Sequence, residues 1–305
     1  MKSVLVIGGS LFAGRVFSIF ASRNGGFSLH VVNRGNHPLK LENVSQYICD
    51  RHDTELMAEI VPDITYDALV DFCAYEPGEI KSLINSLGSK IKQYIYFSTA
   101  SLYVPRDGFL DESAQVLEIS ADDHNTVTTY IRKKTELENE LVEACEAAGL
   151  KYTILRPTFI YGPFNYAPRE SYFIELIAKK CDVPFPVNVS SRFSFVYVID
   201  IADALMKCIG DDRAYNEVFN LSADEAVTYT QLFSLFEQYN NGPFPTREVT
   251  VSQVEEGGIP LPFPLTGDTL VSGEKFSRVF GFDYTPLSVG MEKTFKIFHS
   301  LYADG

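Results

Sequence analysis

Short apolar runs rich in β-branched and aromatic residues alternate with segments of helical period through the first half of this chain: Val4 to Ile7, Leu29 to Val32, Tyr47 to Ile48, Ala68 to Val70, Tyr94 to Phe97 and Tyr152 to Leu155. The runs are continuous rather than alternating, which suits strands covered on both faces and so a parallel sheet. Between them lie helix candidates at Phe12 to Arg23, Asp53 to Ile60, Glu79 to Leu87 and Thr126 to Ala148, the last stopped by Gly149. This order predicts an α/β fold, a doubly wound parallel sheet with right-handed crossovers. With 305 residues, 46% of them apolar, the chain can bury a large core.

After Arg156-Pro157 the texture changes, as Pro157, Pro163, Pro168, Pro184 and Pro186 interrupt a stretch that holds one helix candidate, Glu170 to Lys180. A strand and helix of the first kind return at Phe193 to Val198 and Asp200 to Ile209, followed by a strand at Val218 to Leu221. From Ala223 onward the pattern is helical, with a Pro/Gly-rich loop from Gly257 to Gly267 and no further strand–helix alternation. The expected division is a sheet domain at 1–164 plus 193–222. A smaller, mainly helical C-terminal lobe, 165–192 plus 223–305, would close over the carboxyl ends of the sheet.

A net charge of −14 and a pI near 4.8 give a surface that repels polyanions, so no nucleic-acid partner is expected. The five cysteines are scattered, without Cys-x-x-Cys or a nearby His at metal spacing, and read as reduced thiols; no metal site is assigned. The apolar stretch before Gly8-Gly9 is too short for a signal core or a membrane span, which makes a cytoplasmic location the default expectation.

The first strand runs directly into Gly8-Gly9-Ser10-Leu11-Phe12-Ala13-Gly14 and a helix, a layout that aims backbone N–H groups and the helix dipole at a pyrophosphate. Leu11 stands where the common Gly-x-Gly-x-x-Gly pattern has another glycine. The second strand ends Asn33-Arg34, where an Asp or Glu would grip a ribose 2′-hydroxyl; an amide and a guanidinium suit a 2′-phosphate instead. NADP is thereby favoured over NAD. Asp50, with Arg51 beside it, ends the third strand and could accept from the adenine amino group, while Asp53 could cap the next helix. Phe72 and Tyr75 follow the fourth strand, where the chain would skirt cofactor and substrate, though core packing explains Phe72 as well.

Tyr130 and Lys134 lie one turn apart on the predicted helix, which holds their Cβ atoms roughly 5–6 Å apart. An ammonium so placed would lower the phenol's pKa from about 10 and make it an acid and base near neutrality. By itself a Tyr-x-x-x-Lys arises by chance roughly once in a chain of this composition, so the order of the surrounding motifs carries the reading.

With these residues in hand, the chain resembles the extended or atypical short-chain dehydrogenase/reductase superfamily, the NAD(P)-dependent epimerases, dehydratases and reductases of Rossmann fold. Gly8-Gly9-x-x-x-x-Gly14 and Asn33-Arg34-Gly35 are similar to an atypical subgroup with RNA-binding members. Further matching blocks are Phe97-Ser98-Thr99-Ala100-Ser101-Leu102-Tyr103, Tyr130-Ile-Arg-Lys-Lys134, Leu155-Arg-Pro-Thr-Phe-Ile-Tyr-Gly-Pro163 and Phe195-Val-Tyr-Val-Ile-Asp200. The resemblance implies that Thr99 hydrogen-bonds the reacting oxygen, that Tyr130 exchanges its proton, and that Lys134 also holds the nicotinamide ribose. It places Pro157 among the cofactor contacts and implies a homodimer through the helices around Tyr130.

Three departures bear on the substrate: Phe159 replaces an Asn of nucleotide-sugar epimerases, Phe193 replaces an Arg with Arg192 displaced by one, and Ala100-Ser101 replaces the Asp-Glu pair of sugar dehydratases. The expected substrate pocket is aromatic, built from Tyr75, Phe159 and Tyr161 with Phe164, Phe193 and Tyr103 around them, and Arg169 and Arg192 as anion contacts. The expected function is hydride transfer at a secondary alcohol or ketone carbon of a small molecule, a sugar or nucleotide sugar among the candidates. The alternative is a redox-silent NAD(P)-binding or RNA-binding protein of the same fold.

Overall fold

The computed structural model describes residues 1–303. Its first half runs β1 (Lys2–Ile7), α1 (Phe12–Asn24), β2 (Phe27–Asn33), β3 (Val44–Ile48), α2 (Thr54–Ile60), β4 (Ala68–Asp71), α3 (Glu79–Leu87), β5 (Gln93–Phe97), α4 (Thr126–Ala148) and β6 (Lys151–Pro157). There follow β7 (Phe159–Tyr161), α5 (Glu170–Ala178), β8 (Val183–Pro186), β9 (Phe195–Tyr197), α6 (Val198–Cys208) and β10 (Glu217–Leu221). The chain continues through α7 (Tyr229–Tyr239), β11 (Thr246–Val249), α8 (Val251–Gly257), α9 (Glu274–Phe280) and α10 (Leu287–Ala303).

Seven strands form one parallel sheet in the order β10-β6-β5-β4-β1-β2-β3. Strand apolarity is continuous because both faces are covered. Val4 and Val6 of β1 pack with α1, α6 and α9, whereas Leu5 and Ile7 pack on the other face with α2, α3 and α4. The strand order reverses between β1 and β4, which opens a crevice at their carboxyl ends.

Beyond β6 the sequence pattern is less faithful. The expected strand from Phe193 to Val198 does not join the main sheet; it shortens to β9, which pairs with β7, while Val198 already begins α6. Phe193 instead bridges to Val227 and Thr269. Against expectation a strand also occurs after Ala223, since β11 pairs with β8. Its sequence Thr-Arg-Glu-Val is mostly exposed and carries no apolar run, and β8 contains Pro184 and Pro186, which remove ladder donors and confine the pair to a two-stranded edge arrangement. A separate core of aromatic residues joins α5, α7, α10, β7 and β9. No helix among the described residues is long and apolar enough to cross a membrane.

Candidate active site

A cavity of ≈ 700 Å³ opens at the strand-order reversal, and every residue lining it lies between Ile7 and Arg169. Its floor is the glycine turn. Gly8 and Gly9 have φ of 96° and 68°, a backbone that L side chains rarely adopt. A Cβ on Gly14 would stand 2.8 Å from the Gly9 Cα, so the first turn of α1 folds directly against the turn only because Gly14 has no side chain. Ser18, which the sequence did not single out, locks this arrangement by donating to both Gly9 O and Gly14 O at 2.9 Å. Ser10, Leu11 and Phe12 line the cavity with the glycines, and the Leu11 side chain is half exposed rather than wedged into the turn.

At one end of the cavity stand Asn33 and Arg34. The Asn33 amide is engaged: its Oδ1 accepts from Gly35 N at 2.9 Å and from Gln46 Nε2 at 2.8 Å. Arg34 is exposed and has no carboxylate partner among the described residues, and Asn36 and His37 line the cavity beside it. Asp50 and Arg51 also reach the cavity, but each already has partners. Asp50 accepts from His52 at its backbone and ring, which holds its carboxyl below the usual range. Arg51 forms a two-pronged pair with the fully buried Asp71 at 3.0 and 3.2 Å and lies 3.4 Å from Glu79; Tyr94 OH donates to the same Asp71 at 2.6 Å. Asp53 caps α2 as expected, accepting from Leu56 N.

Helix α4 starts where Asn125 Oδ1 accepts from Val127 N and Thr128 N, and it ends at Gly149 in the left-handed conformation. Its buried stripe includes Ile131, Lys134, Leu137, Glu138, Leu141 and Cys145, so two charged residues lie on an apolar face. Lys134 is 3% exposed; its Nζ donates to Ala74 O and Phe97 O, each at 3.1 Å, and sits 4.9 Å from the Tyr75 ring centre. Burial pushes its pKa down to about 8. Glu138 pairs with Arg156 of β6, whose Nη1 donates to Tyr103 OH at 2.9 Å, and Tyr103 OH donates to Asn220 of β10 at 2.7 Å.

Thr99, Tyr130 and Lys134 all line the one cavity. Thr99 follows β5 and its Oγ1 accepts from Ser101 N at 3.2 Å. One expectation is corrected here. Burial raises the Tyr130 pKa, and the groups that draw it back are the Thr99 side chain and Arg169, not Lys134, whose ammonium is directed at two carbonyls. Phe72 packs against Phe17 and Phe97 and lines the cavity as well, so packing and lining are both true of it; Pro157 lines it from the end of β6.

The residues expected to contact substrate divide. Tyr75 and Arg169 line the cavity, with Tyr166, Thr158 and Ile160, which the sequence did not flag. Tyr161 is 1% exposed and belongs to the aromatic core, and Phe159 packs edge-on against Phe193 and Phe263; neither reaches the cavity. Phe193 and Tyr103 are buried too, and Phe164 is turned to Arg15. Arg192 is also corrected: it forms an ion pair with Asp268 away from the cavity. The expected aromatic pocket is therefore mostly protein interior, because rings that find other rings bury more apolar surface than rings facing a solvated cleft.

The cavity suits a dinucleotide on structural grounds. Ser98 Oγ is buried, belongs to the cavity wall and lacks a hydrogen-bond partner, which leaves a polar atom for a bound group to satisfy. The glycine turn supplies a side-chain-free approach at the N-terminus of α1.

Comparison with known proteins bears out the resemblance. Residues 80–222 match the NAD dependent epimerase/dehydratase family. The chain is 27% identical over 262 residues to chloroplast stem-loop binding protein of 41 kDa b from Arabidopsis thaliana, covering 81% of this chain and 65% of the relative. It is 27% identical over 155 residues to UDP-glucose 4-epimerase of Vibrio cholerae, covering 51% of this chain and 45% of the relative. The match thus spans less than two thirds of either relative's own length. The structure of UDP-glucose 4-epimerase from Thermotoga maritima, solved with UDP-glucose, superposes with a TM-score of 0.81 at 20% identity, covering 98% of this chain and 99% of that one. At that identity the likeness establishes the doubly wound α/β fold.

Proposed function

We propose that this chain, similar over residues 80–222 to the NAD dependent epimerase/dehydratase family, is an enzyme that carries out NADP(H)-dependent hydride transfer at a secondary alcohol or ketone carbon. The observation that carries the reading is that Thr99, Tyr130 and Lys134 share one cavity with the glycine turn. The cofactor supplies the hydride acceptor or donor. Tyr130 Oη exchanges the proton of the reacting oxygen, and the Thr99 hydroxyl beside it orients that oxygen. Lys134, with a pKa near 8, keeps its proton at neutral pH and places a buried positive charge where a negative oxygen would be favoured. Epimerisation uses the same residues if the oxidised substrate turns over before the hydride returns.

Arg34, without a carboxylate partner among the described residues, supports NADP; NAD is the cofactor named by the matching family. The two-lobe division at 1–164 plus 193–222 against 165–192 plus 223–305 is part of the proposal, supported by the separate aromatic core, and so is a homodimer through the helices around Tyr130.

The test is turnover of a panel of ketones, secondary alcohols and nucleotide sugars, with NADPH and NADH titrated separately. NADPH binds tighter than NADH, and Tyr130→Phe lowers kcat by about 10²–10⁴ while leaving cofactor affinity in place. Full turnover in Y130F ends the assignment. The relative named for stem-loop binding supports a second reading, an RNA-binding protein, against which stands the net charge of −14. Salt-dependent RNA retention with no cofactor binding would establish it instead.

A further inference from the structure

The charged groups around the cavity are almost all matched. Glu79 meets Arg51 and His52, Asp50 meets His52, Glu76 meets Lys133, and the Lys134 ammonium donates to two carbonyls. Two guanidiniums that line it have no carboxylate within ion-pair distance among the described residues: Arg34 at one end and Arg169 at the other. Arg169 lines the cavity together with Tyr130, and its charge is among the influences that draw the phenol's pKa down. It donates only a long hydrogen bond, 3.4 Å, to Ile160 O, and lies over the Phe159 ring.

The segment that presents Arg169 is built to hold it. Glu170 is fully buried and accepts from Gly162 N and Asn165 Nδ2 at 3.0 Å, while Asn165 Oδ1 accepts from Ala167 N at 3.0 Å. The loop that carries Arg169 is thus pinned from inside before any ligand arrives. The phenol of Tyr75, half exposed, and that of Tyr166 line the same end of the cavity.

On that side the cavity stops at Arg169: every lining residue precedes Glu170, and the aromatic core beyond is closed by rings, with Phe193 stacked on Phe263 at 4.8 Å between centres. Arg192, the other arginine expected to contact an anion, is paired with Asp268.

Resting on the hydride-transfer reading above, we propose that Arg169, flanked by Tyr75 and Tyr166, is the specificity-determining anchor for a small hydroxy or keto compound, sugar-like or simpler, that carries a single carboxylate or phosphate monoester and no nucleotide arm. A guanidinium fork matches either anion in two-pronged geometry. The phenols supply hydrogen bonds to hydroxyl groups between the anion and the reacting carbon.

The test is calorimetric titration of the NADP⁺-loaded protein with glucose 6-phosphate, glucuronate, glucose and UDP-glucose. At least one of the two singly anionic sugars binds about tenfold or more tighter than glucose; Arg169→Gln weakens it by roughly ten- to a hundredfold, and Arg169→Lys recovers part of the loss. The two anionic probes separate a phosphate ligand from a carboxylate one. Tighter binding of UDP-glucose that is indifferent to R169Q overturns the proposal, as does equal binding of glucose and both anions. Loss of NADP⁺ affinity in R169Q also overturns it, by making Arg169 a cofactor contact. These failures leave cofactor binding and Tyr130-dependent turnover in the wild type standing, whereas absence of both removes the hydride-transfer reading itself.

Discussion

Aromatic rings and arginines occur both in the cavity wall and in and around the separate aromatic core, and they behave differently in the two. In the wall, Tyr75, Tyr130 and Tyr166 keep part of their surface open, and Arg34 and Arg169 have no carboxylate partner among the described residues. In the aromatic core, Phe173 and Phe236 are fully buried against each other and Phe193 against Tyr229 and Phe263, while Arg192 is neutralised by Asp268. The difference teaches that residue type does not decide between lining and packing; the available partner does. A ring beside other rings is a core residue, and a cation beside a carboxylate is a structural one.

The largest effect that would break this division is in the aromatic core. Phe193→Ala removes a fully buried ring and should cost about 3–5 kcal/mol in urea unfolding, while the Kd for NADPH stays within about twofold of wild type. A parallel collapse in cofactor affinity would mean that aromatic core and cavity wall are one cooperative unit.

A smaller effect is read from pH. Burial depresses the Lys134 pKa to about 8, below about 10.4 for the unfolded chain. Below pH 8 both states carry the proton and the cost of burying the charge is constant. Between about 8 and 10 the unfolded state binds more protons, so this group's contribution to stability rises with pH. The Tm difference between Lys134→Met and the ligand-free wild type should therefore drift in favour of the wild type across that window, in scanning calorimetry. A difference independent of pH would mean that Lys134 is not desolvated.

The smallest effect is at Arg192. Its side chain is 47% exposed, and Arg192→Ala should change stability by no more than about 1 kcal/mol and leave turnover unaltered. A marked rise in KM would return Arg192 to the substrate site and blur the contrast.

The readable parts of the sequence are those set by local rules. The helix Thr126–Ala148 is legible from its helical period and its terminal glycine, and the glycine turn from its place between strand and helix. Lys134 and Tyr130 were legible as a pair because helical spacing alone puts them on one side. What escaped depends on distant partners: Arg192 meets Asp268 across 76 positions, and Phe193 bridges to Val227 and Thr269. Arg51 lines the cavity beside Asp50, but nothing local announces its buried pair with Asp71. Tyr166 carries no pattern, and Ser98 stands in a matching block without a role of its own; only the cavity identifies them.

The buried pair between Glu138 and Arg156 has a consequence for how relatives of this chain can diverge. Changing either residue alone strands a charge away from water, a loss of about 3–5 kcal/mol. Against the modest stability of a folded domain, few lineages could carry that step. The two positions are thus expected to be inherited together or exchanged together, an evolutionary lock set by electrostatics between the helix that bears Tyr130 and the strand that ends at Pro157.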